Sequence, residues 1–375
     1  MRDKERMSGR YEEEESTHSR SRQARQRARK KKKKKMIVLV IIEVLALLVI
    51  AAGAFAYFYV QNQYDKIETV AFQKHDVATN PDLPSSVVET SKGYRTIMFY
   101  GVDARNNSDL TKNANSDSVI ICSINNDTKE IKLVSILRDT MVQTTDGKYH
   151  KLTDVYAAYG VQEALETINR NFDLNITEYV TVNWYAVAET IDLMGGLDIE
   201  ITDKEAAAIN QFLWETSKST GIASSNVDVY EGVHHLDGIQ STTYARVRNV
   251  GHHDITRAER QRKVISLMLE KAKQSSIGTL NDICNTVFPN ISTNLTLSDI
   301  LSLASDVASY KIADQGLFPY KYWDQSGGHY YVYCNPLTEN VDQLHSYLFG
   351  NEEYTPSSTV QPISEYILDY RSEHE

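Results

Sequence analysis

The chain has 375 residues, 41% of them apolar, which is enough for one large or two ordinary domains with a real core. Its formal net charge is −10, yet 15 of its 40 Lys and Arg but only 7 of its 50 Asp and Glu fall in residues 1–60, so the body that follows is strongly acidic. Three cysteines exclude a scaffold that depends on disulfides.

Residues 1–35 hold no apolar run, and Arg20–Lys35 contains five Arg and six Lys, the composition of a disordered basic arm. It has no helix-turn-helix pattern, so no specific nucleic-acid partner is expected, only nonspecific electrostatic binding. Residues 36–60 are almost unbroken Ile, Val, Leu, Ala and aromatic, matching the roughly 20 residues that cross the bilayer core. The basic run before them predicts a cytoplasmic N-terminus and a single-pass type II protein of the cell membrane, with everything after Val60 extracellular. The poly-lysine is then explained by topology and anionic lipid. Ala54-Phe55-Ala56 looks like a signal-peptidase site, but the apolar run is long for a signal core, and Tyr57, Phe58 and Tyr59 read as an interfacial belt, favouring an uncleaved anchor. Glu43 lies in the cytoplasmic half of this span, within reach of the lysines.

Residues 61–92, with Pro81 and Pro84, read as a stalk or short helix. Thr96–Asp103 is a buried-strand run, followed by a polar loop to Asp117. Ser118–Ile124 and Glu130–Leu137 alternate around a turn at 125–128 and predict a β-hairpin ending at Arg138-Asp139. Thr153–Phe172 has apolar residues at helical spacing, Tyr179–Val182 is a strand, Trp184–Met194 is a helix stopped by Gly195-Gly196, and Leu197–Ile201 is a short strand. A helix over 203–216 precedes a polar loop at 217–228, Asp237 begins a helix that delivers Arg246, and Thr256 caps a long helix to about Lys273. Residues 295–310 read as helical, 330–333 as strand-like, and 350–375 as a mobile tail. Strands alternating with helices predict a layered α/β domain over 93–349.

Half of the ten arginines after residue 60 are Arg246, Arg248, Arg257, Arg260 and Arg262. Arg246 and Arg248 share a face if the segment is extended, and Arg257 and Gln261 stack if theirs is helical. Two such donor rows suit a diphosphate, because the guanidinium fork binds phosphate oxygens bidentately; the competing reading is a solvated helix face with ordinary ion pairs. Asp103 and Asp117 end strand-like runs facing one loop. They invite Mg²⁺ shared with substrate phosphates, or simply cap turns. Arg138 can pair locally with Asp139. Cys122 reads as a buried small hydrophobe, and whether Cys284 and Cys334 pair is open. No Cys/His spacing resembles a zinc site, and His234-His235 and His252-His253 read as surface or site-rim residues.

Several stretches, in this order and spacing, resemble the LytR-CpsA-Psr (LCP) phosphotransferases: Gly101-Val102-Asp103-Ala104-Arg105, Asn115-Ser116-Asp117-Ser118, Ser135-Ile136-Leu137-Arg138-Asp139-Thr140, Lys151-Leu152-Thr153-Asp154-Val155-Tyr156, Met194-Gly195-Gly196-Leu197, Tyr244-Ala245-Arg246-Val247-Arg248, and Asp254-Ile255-Thr256-Arg257-Ala258-Glu259-Arg260-Gln261. The resemblance implies a three-layer αβα domain with a central mixed sheet, preceded by one transmembrane helix, and a greasy pocket for a polyprenyl chain. It implies Mg²⁺, with Mn²⁺ as an alternative, on Asp103 and Asp117. It implies pyrophosphate binding by Arg138, Arg246, Arg248, Arg257 and Gln261, a further phosphate contact from Lys151, and an acid-base or network role for Asp254 beside a catalytic Arg138. The implied activity moves a teichoic-acid-like or capsular glycopolymer from a polyprenyl-pyrophosphate carrier to peptidoglycan. The chain departs from the family pattern at Asn115, often Arg, and at Leu137, often Pro. A regulatory envelope protein, a noncatalytic polyprenyl-pyrophosphate binder and a pyrophosphatase are the alternatives to test.

Overall fold

Alternating Val, Ile and Leu over residues 94–136 build the centre of a six-stranded sheet. Strands β1 (Tyr94–Val102), β2 (Ser116–Asn125) and β3 (Glu130–Ile136) run antiparallel, Tyr100 opposite Val119 and Ile121 opposite Val134. The expected hairpin is present. At its turn the side chain of Asn125 accepts from the backbone of Asp127 and Thr128, both at 2.9 Å. The full order is β10-β3-β2-β1-β6-β9, where β6 (Glu178–Asn183) and β10 (Lys311–Phe318) lie parallel to their neighbours and β9 (Ile291–Thr293) is antiparallel, so the sheet is mixed. The short ribbons β4–β5 (Met141–Gln143, Tyr149–Lys151), β7–β8 (Leu197–Ile201, Gly232–Leu236) and β11–β12 (Tyr322–Asp324, Val332–Cys334) surround it.

This computed structural model describes residues 54, 57–67, 72–105, 110–324, 330–350 and 354–374. The chain divides into two units, Met1–Asn62 and Gln63–Glu375. In the first, residues 57–62 are helical, with Tyr57, Phe58 and Tyr59 exposed. The basic arm at 1–35 and almost all of the expected span at 36–60 lie outside the described residues. Among the described residues no helix is long and apolar enough to cross a membrane.

Within the second unit both sheet faces are covered, which is why its central strands read as near-continuous apolar runs. Met98, Tyr100, Ile121 and Val134 point to a core closed by α2 (Leu152–Tyr159), α3 (Val161–Phe172), α10 (Leu337–Phe349) and α11 (Val360–His374). Phe99, Ile120, Cys122 and Leu133 point the other way, against Ile265, Leu269 and Leu303 of α7 (His253–Gln274) and α9 (Leu297–Ser305). The layers are αβα. A satellite core joins the β7–β8 ribbon to α4 (Trp184–Leu193), α5 (Asp203–Thr220) and α6 (Gly238–Arg246). Gly238 permits that packing, since a Cβ there would sit 2.1 Å from the carbonyl oxygen of Ala188. Helix α8 (Ile277–Val287) leads into β9.

Three sequence expectations are corrected. The helix over Thr153–Phe172 is two, because Gly160, at φ +94, breaks it. The stalk is in part fold: Phe72, Val77 and, on α1 (Ser85–Ser91), Val87 are buried in the main core. The mobile tail contains α11, whose Val360, Ile363 and Ile367 are buried. All three cysteines are free.

Asp173 holds the two ends of this unit together. It caps α3 in the left-handed conformation, fully buried, and accepts from the Tyr354 hydroxyl and the Ser357 backbone at 2.7 Å, from the Ser357 hydroxyl at 2.7 Å, and from the Asn80 amide. Burial first, then the bond to Asp173, pushes the Tyr354 hydroxyl pKa far up, so it stays protonated and donates. Hydrogen bonds to a charged group contribute about 1.5–3 kcal/mol each, and Asp173→Ala removes several at once while leaving a non-glycine at positive φ. The expected loss is at least about 3 kcal/mol in urea unfolding. A loss below about 1 kcal/mol would show that these bonds do not hold the ends.

Candidate functional site

The sheet register brings the predicted residues to one place. Val102 pairs with Ser116 on one side and Asn183 on the other, so β1 and β6 end where β2 begins. Strand β3, antiparallel to β2, ends there too. Asp103, Asp117, Arg138 and Trp184 therefore rim one edge of the sheet, the carboxyl end of its parallel pair, where open α/β sheets bind ligands. Opposite them, Arg246 ends α6, Arg248 follows it in the connecting loop, and Arg257 and Gln261 lie one turn apart on α7. Together they line a cavity of about 590 Å³, with Asn115, Phe212, Glu215 and Thr216 completing the wall.

Asp117 is the hub of the cluster. Its Oδ1 accepts from Arg138 Nη1 and, at 3.2 Å, from Arg248 Nη2, and it lies 3.8 Å from Arg257 Nη1. Asp254 pairs with Arg257 Nη2 at 2.9 Å and with Arg248 Nε at 3.5 Å. Arg246 donates to Thr216 at 3.1 Å and rests over the Trp184 ring, 5.4 Å from its centre. Burial pulls the Arg138 pKa down, but Asp117, Asp139 and Asp254 outweigh it and the net shift is upward, so the guanidinium stays charged. The buried Nε of Arg257 and the amide nitrogen of Gln261 make no hydrogen bond among the described residues. Buried donors left without acceptors are rare, and both belong to residues that line the cavity.

Other expected members lie elsewhere. Lys151 does not line this cavity; its Nζ is 3.4 Å from Asp139 and over the Tyr331 ring. Arg260 is structural, bonded to Glu205 at 2.8 Å and to the carbonyls of Val247 and Val250, which pins the loop carrying Arg248. Arg262 is buried beside Glu259 and Tyr347, its pKa lowered by that burial. Asp103 lines the cavity and accepts from Ser219 at 3.4 Å. Among the described residues, no group of three or more His, Cys, Asp or Glu gathers as a metal cluster.

An apolar groove of about 270 Å³ lies against this cavity, between the sheet and its covering helices. Phe99, Ile120 and Val182 form one wall, Val187, Val264 and Met268 the other, and Trp184 and Gln261 line both spaces. Trp184 carries no motif in the sequence; only its position directly after a predicted strand marks it.

Residues 55–346 match the LytR_cpsA_psr family. The chain belongs to the LytR-CpsA-Psr family. Among curated relatives, the polyisoprenyl-teichoic acid–peptidoglycan teichoic acid transferase TagT of Bacillus subtilis is 30% identical over 243 residues, 64% of this chain and 72% of TagT. Biofilm regulatory protein A of Streptococcus mutans is 29% identical over 213 residues, 54% of this chain and 50% of its own. The solved structure of TagT bound to LI-WTA superposes with a TM-score of 0.55 at 23% identity, covering 70% of this chain and 92% of that one. TagT with bound octaprenyl pyrophosphate lipid gives 0.50 at 22%. At those identities the likeness to this family member is one of fold.

The division among the arginines is testable with inorganic diphosphate as probe. Arg138→Ala is expected to weaken its binding, read by calorimetry, by at least about tenfold, the size of one lost charged hydrogen bond, with melting almost unchanged because Asp117 keeps Arg248 and Arg257. Arg138→Lys should restore little, since an ammonium lacks the fork. Arg260→Ala should instead cost stability, about 3 kcal/mol, by stranding Glu205. An Arg138→Ala protein that unfolds, or that keeps its diphosphate affinity, would make Arg138 a structural partner of Asp139.

Proposed function

We propose that this chain transfers a glycopolymer from a polyprenyl-pyrophosphate carrier to peptidoglycan. The observation that carries the reading is the guanidinium-lined cavity abutting an apolar groove, with Trp184 and Gln261 common to both walls. A polyprenyl diphosphate has the same two halves, a doubly charged head and a hydrocarbon tail. The naming of TagT as a teichoic acid transferase and the octaprenyl pyrophosphate lipid bound in one of its solved structures agree with this division.

In this reading Arg138, Arg246, Arg248 and Arg257 grip the diphosphate, with the Gln261 amide as a neutral donor. Phosphoryl transfer needs positioning and charge stabilisation more than covalent help, and preorganised donors supply both. A sugar hydroxyl attacks the phosphorus nearer the glycan, its proton passes to the Asp254 carboxylate, and the polyprenyl phosphate leaves. The Asp103 and Asp117 oxygens are a hard donor set on one cavity wall, which suits Mg²⁺ held by one or two carboxylates and the substrate's own phosphates. When bound, the ion neutralises diphosphate charge. Asp117, now committed to guanidiniums, would be freed as those turn to the phosphates. The single-pass anchor at 36–60, with residues after 60 outside the cell, keeps the site beside a lipid-borne donor.

The full chain in detergent, given a polyprenyl-diphosphate-linked glycan, peptidoglycan fragments and Mg²⁺, is expected to yield a glycan joined through one phosphate to the fragment, detected by mass. Glycan phosphate and polyprenyl phosphate released without transfer would identify a pyrophosphatase, and saturable binding without turnover a carrier. Asp103→Ala should weaken Mg²⁺ binding measured with diphosphate present; unchanged affinity would leave Asp103 a turn residue. Reporter fusions placing the C-terminus in the cytoplasm would overturn the topology.

A further inference from the structure

Arg138 faces a second cavity that this mechanism has not used. It encloses about 170 Å³, room for one sugar ring, and shares Arg138 with the diphosphate cavity. Its other walls are Asp139, His252 to Asp254, Tyr322, Asp324 and Tyr330. Three carboxylates, two imidazoles and two phenol rings form a lining suited to hydroxyl groups, with aromatic faces for the C–H side of a pyranose. These acids do not converge as a metal cluster. Burial first, and then Asp324, Asp254 and Asp139, push the Tyr330 hydroxyl up to about 12, so it remains a donor at neutral pH.

The cavity is built, not incidental. Tyr322 and Asp324 alternate with Trp323 along β11, and Tyr330 and Val332 alternate with Tyr331 and Tyr333 along the approach to β12, so one ribbon face lines the cavity and the other turns away. The reverse face is braced by α11: Arg371 lies 3.6 Å from the centre of the Trp323 ring, and Tyr370 packs against Tyr331 and Tyr333. The ribbon is fastened beside Arg138 by the Val332 amide, which donates to the Asp139 carbonyl at 2.9 Å. On the opposite wall His253 sits at φ +45, an unfavourable backbone for a non-glycine residue, of the kind held at functional sites.

We propose that this second cavity is the acceptor subsite, receiving the hydroxyl-bearing sugar of a peptidoglycan strand between Tyr322, Tyr330 and Asp324; the assignment rests on the transferase reading above. An in-line displacement needs separate room for nucleophile and leaving group at the phosphorus, and a second cavity that meets the diphosphate cavity at Arg138 gives the acceptor an entry of its own. The acceptor oxygen forms the new P–O bond, the bond to the polyprenyl phosphate breaks with its electron pair on that phosphate, and the hydroxyl proton goes to Asp254.

The test uses the full chain in detergent, a saturating polyprenyl-diphosphate-linked N-acetylglucosamine donor, and a soluble, uncrosslinked peptidoglycan glycan strand at varied concentration. Tyr330→Ala and the near-isosteric Asp324→Asn are each expected to raise the acceptor KM at least about tenfold, while donor affinity by calorimetry stays within about twofold. Both should melt as the parent does, Asp324→Asn above all, since its side chain is exposed. Transfer by the parent with acceptor KM unchanged in both variants would overturn the assignment, as would a loss of donor affinity instead. No transfer by the parent would overturn the transferase reading itself.

Discussion

Three guanidiniums around one carboxylate set the terms for the rest of this structure. Arg138, Arg248 and Arg257 come from a strand end, a loop and a helix, and all three reach Asp117 at the start of β2. Unit charges about 4 Å apart interact with roughly 4 kcal/mol at an effective dielectric near 20, so three like charges gathered without a counterion would drive those elements apart. Asp117 and Asp254, with Asp139 beside Arg138, hold the cluster in its working arrangement. Four guanidiniums line the cavity, and two of its residues, Arg257 and Gln261, each keep a buried donor without an acceptor, a state that a polyanion relieves as those side chains turn to it. Assembly before binding is what makes such donors effective, since the elements that carry them are already in place and only the guanidiniums have to turn.

Helix α7 shows how one element serves several ends. Arg257 and Gln261, four apart, face the polar cavity; Val264, Ile265 and Met268, further along, face the groove; Arg260 turns to Glu205 and the loop carbonyls. Polar head and apolar tail sites are thereby fixed relative to each other by a helix rather than by a loop, and rigid elements keep functional geometry best. The same helix begins at the strained His253, next to Asp254.

What the sequence disclosed followed from local physics. Period-two alternation marked the β2–β3 hairpin, the glycine pair at 195–196 stopped α4, and the capping residue Asp237 placed the start of α6 and hence Arg246. Seven expected site residues, Asp103, Asp117, Arg138, Arg246, Arg248, Arg257 and Gln261, meet in one cavity because motif order followed strand order at one sheet edge. What stayed hidden depended on tertiary contact. Nothing local to Arg260 reveals a Glu205 waiting 55 residues upstream, and Lys151, matched by position alone, is held by Asp139. Helix α11 reads in the sequence as mobile tail although Val360, Ile363 and Ile367 keep helical spacing, because Pro362 and a polar remainder mask that short apolar stripe. The short strand β9, three residues long, carries too little pattern to stand out, whereas the strand-like run at 330–333 overlaps β12.

The C-terminal helix also bears on how such a site separates its substrates. The family match ends at residue 346, before α11 begins, so the brace behind the β11–β12 ribbon lies outside the matched region. Its contacts to the ribbon are aromatic and cationic, Tyr370 against Tyr331 and Tyr333 and Arg371 on Trp323, and these residues line neither cavity. The front of that ribbon is polar, whereas the groove beyond Trp184 is almost wholly apolar. A hydrocarbon tail is favoured only in the groove and a hydroxylated sugar only against the ribbon, because each would lose solvation without compensation in the other. In the proposed reading the donor's tail and the acceptor sugar are sorted by burial chemistry, and the arginine-lined cavity, sharing Trp184 and Gln261 with the groove and Arg138 with the ribbon cavity, lies between the two selections.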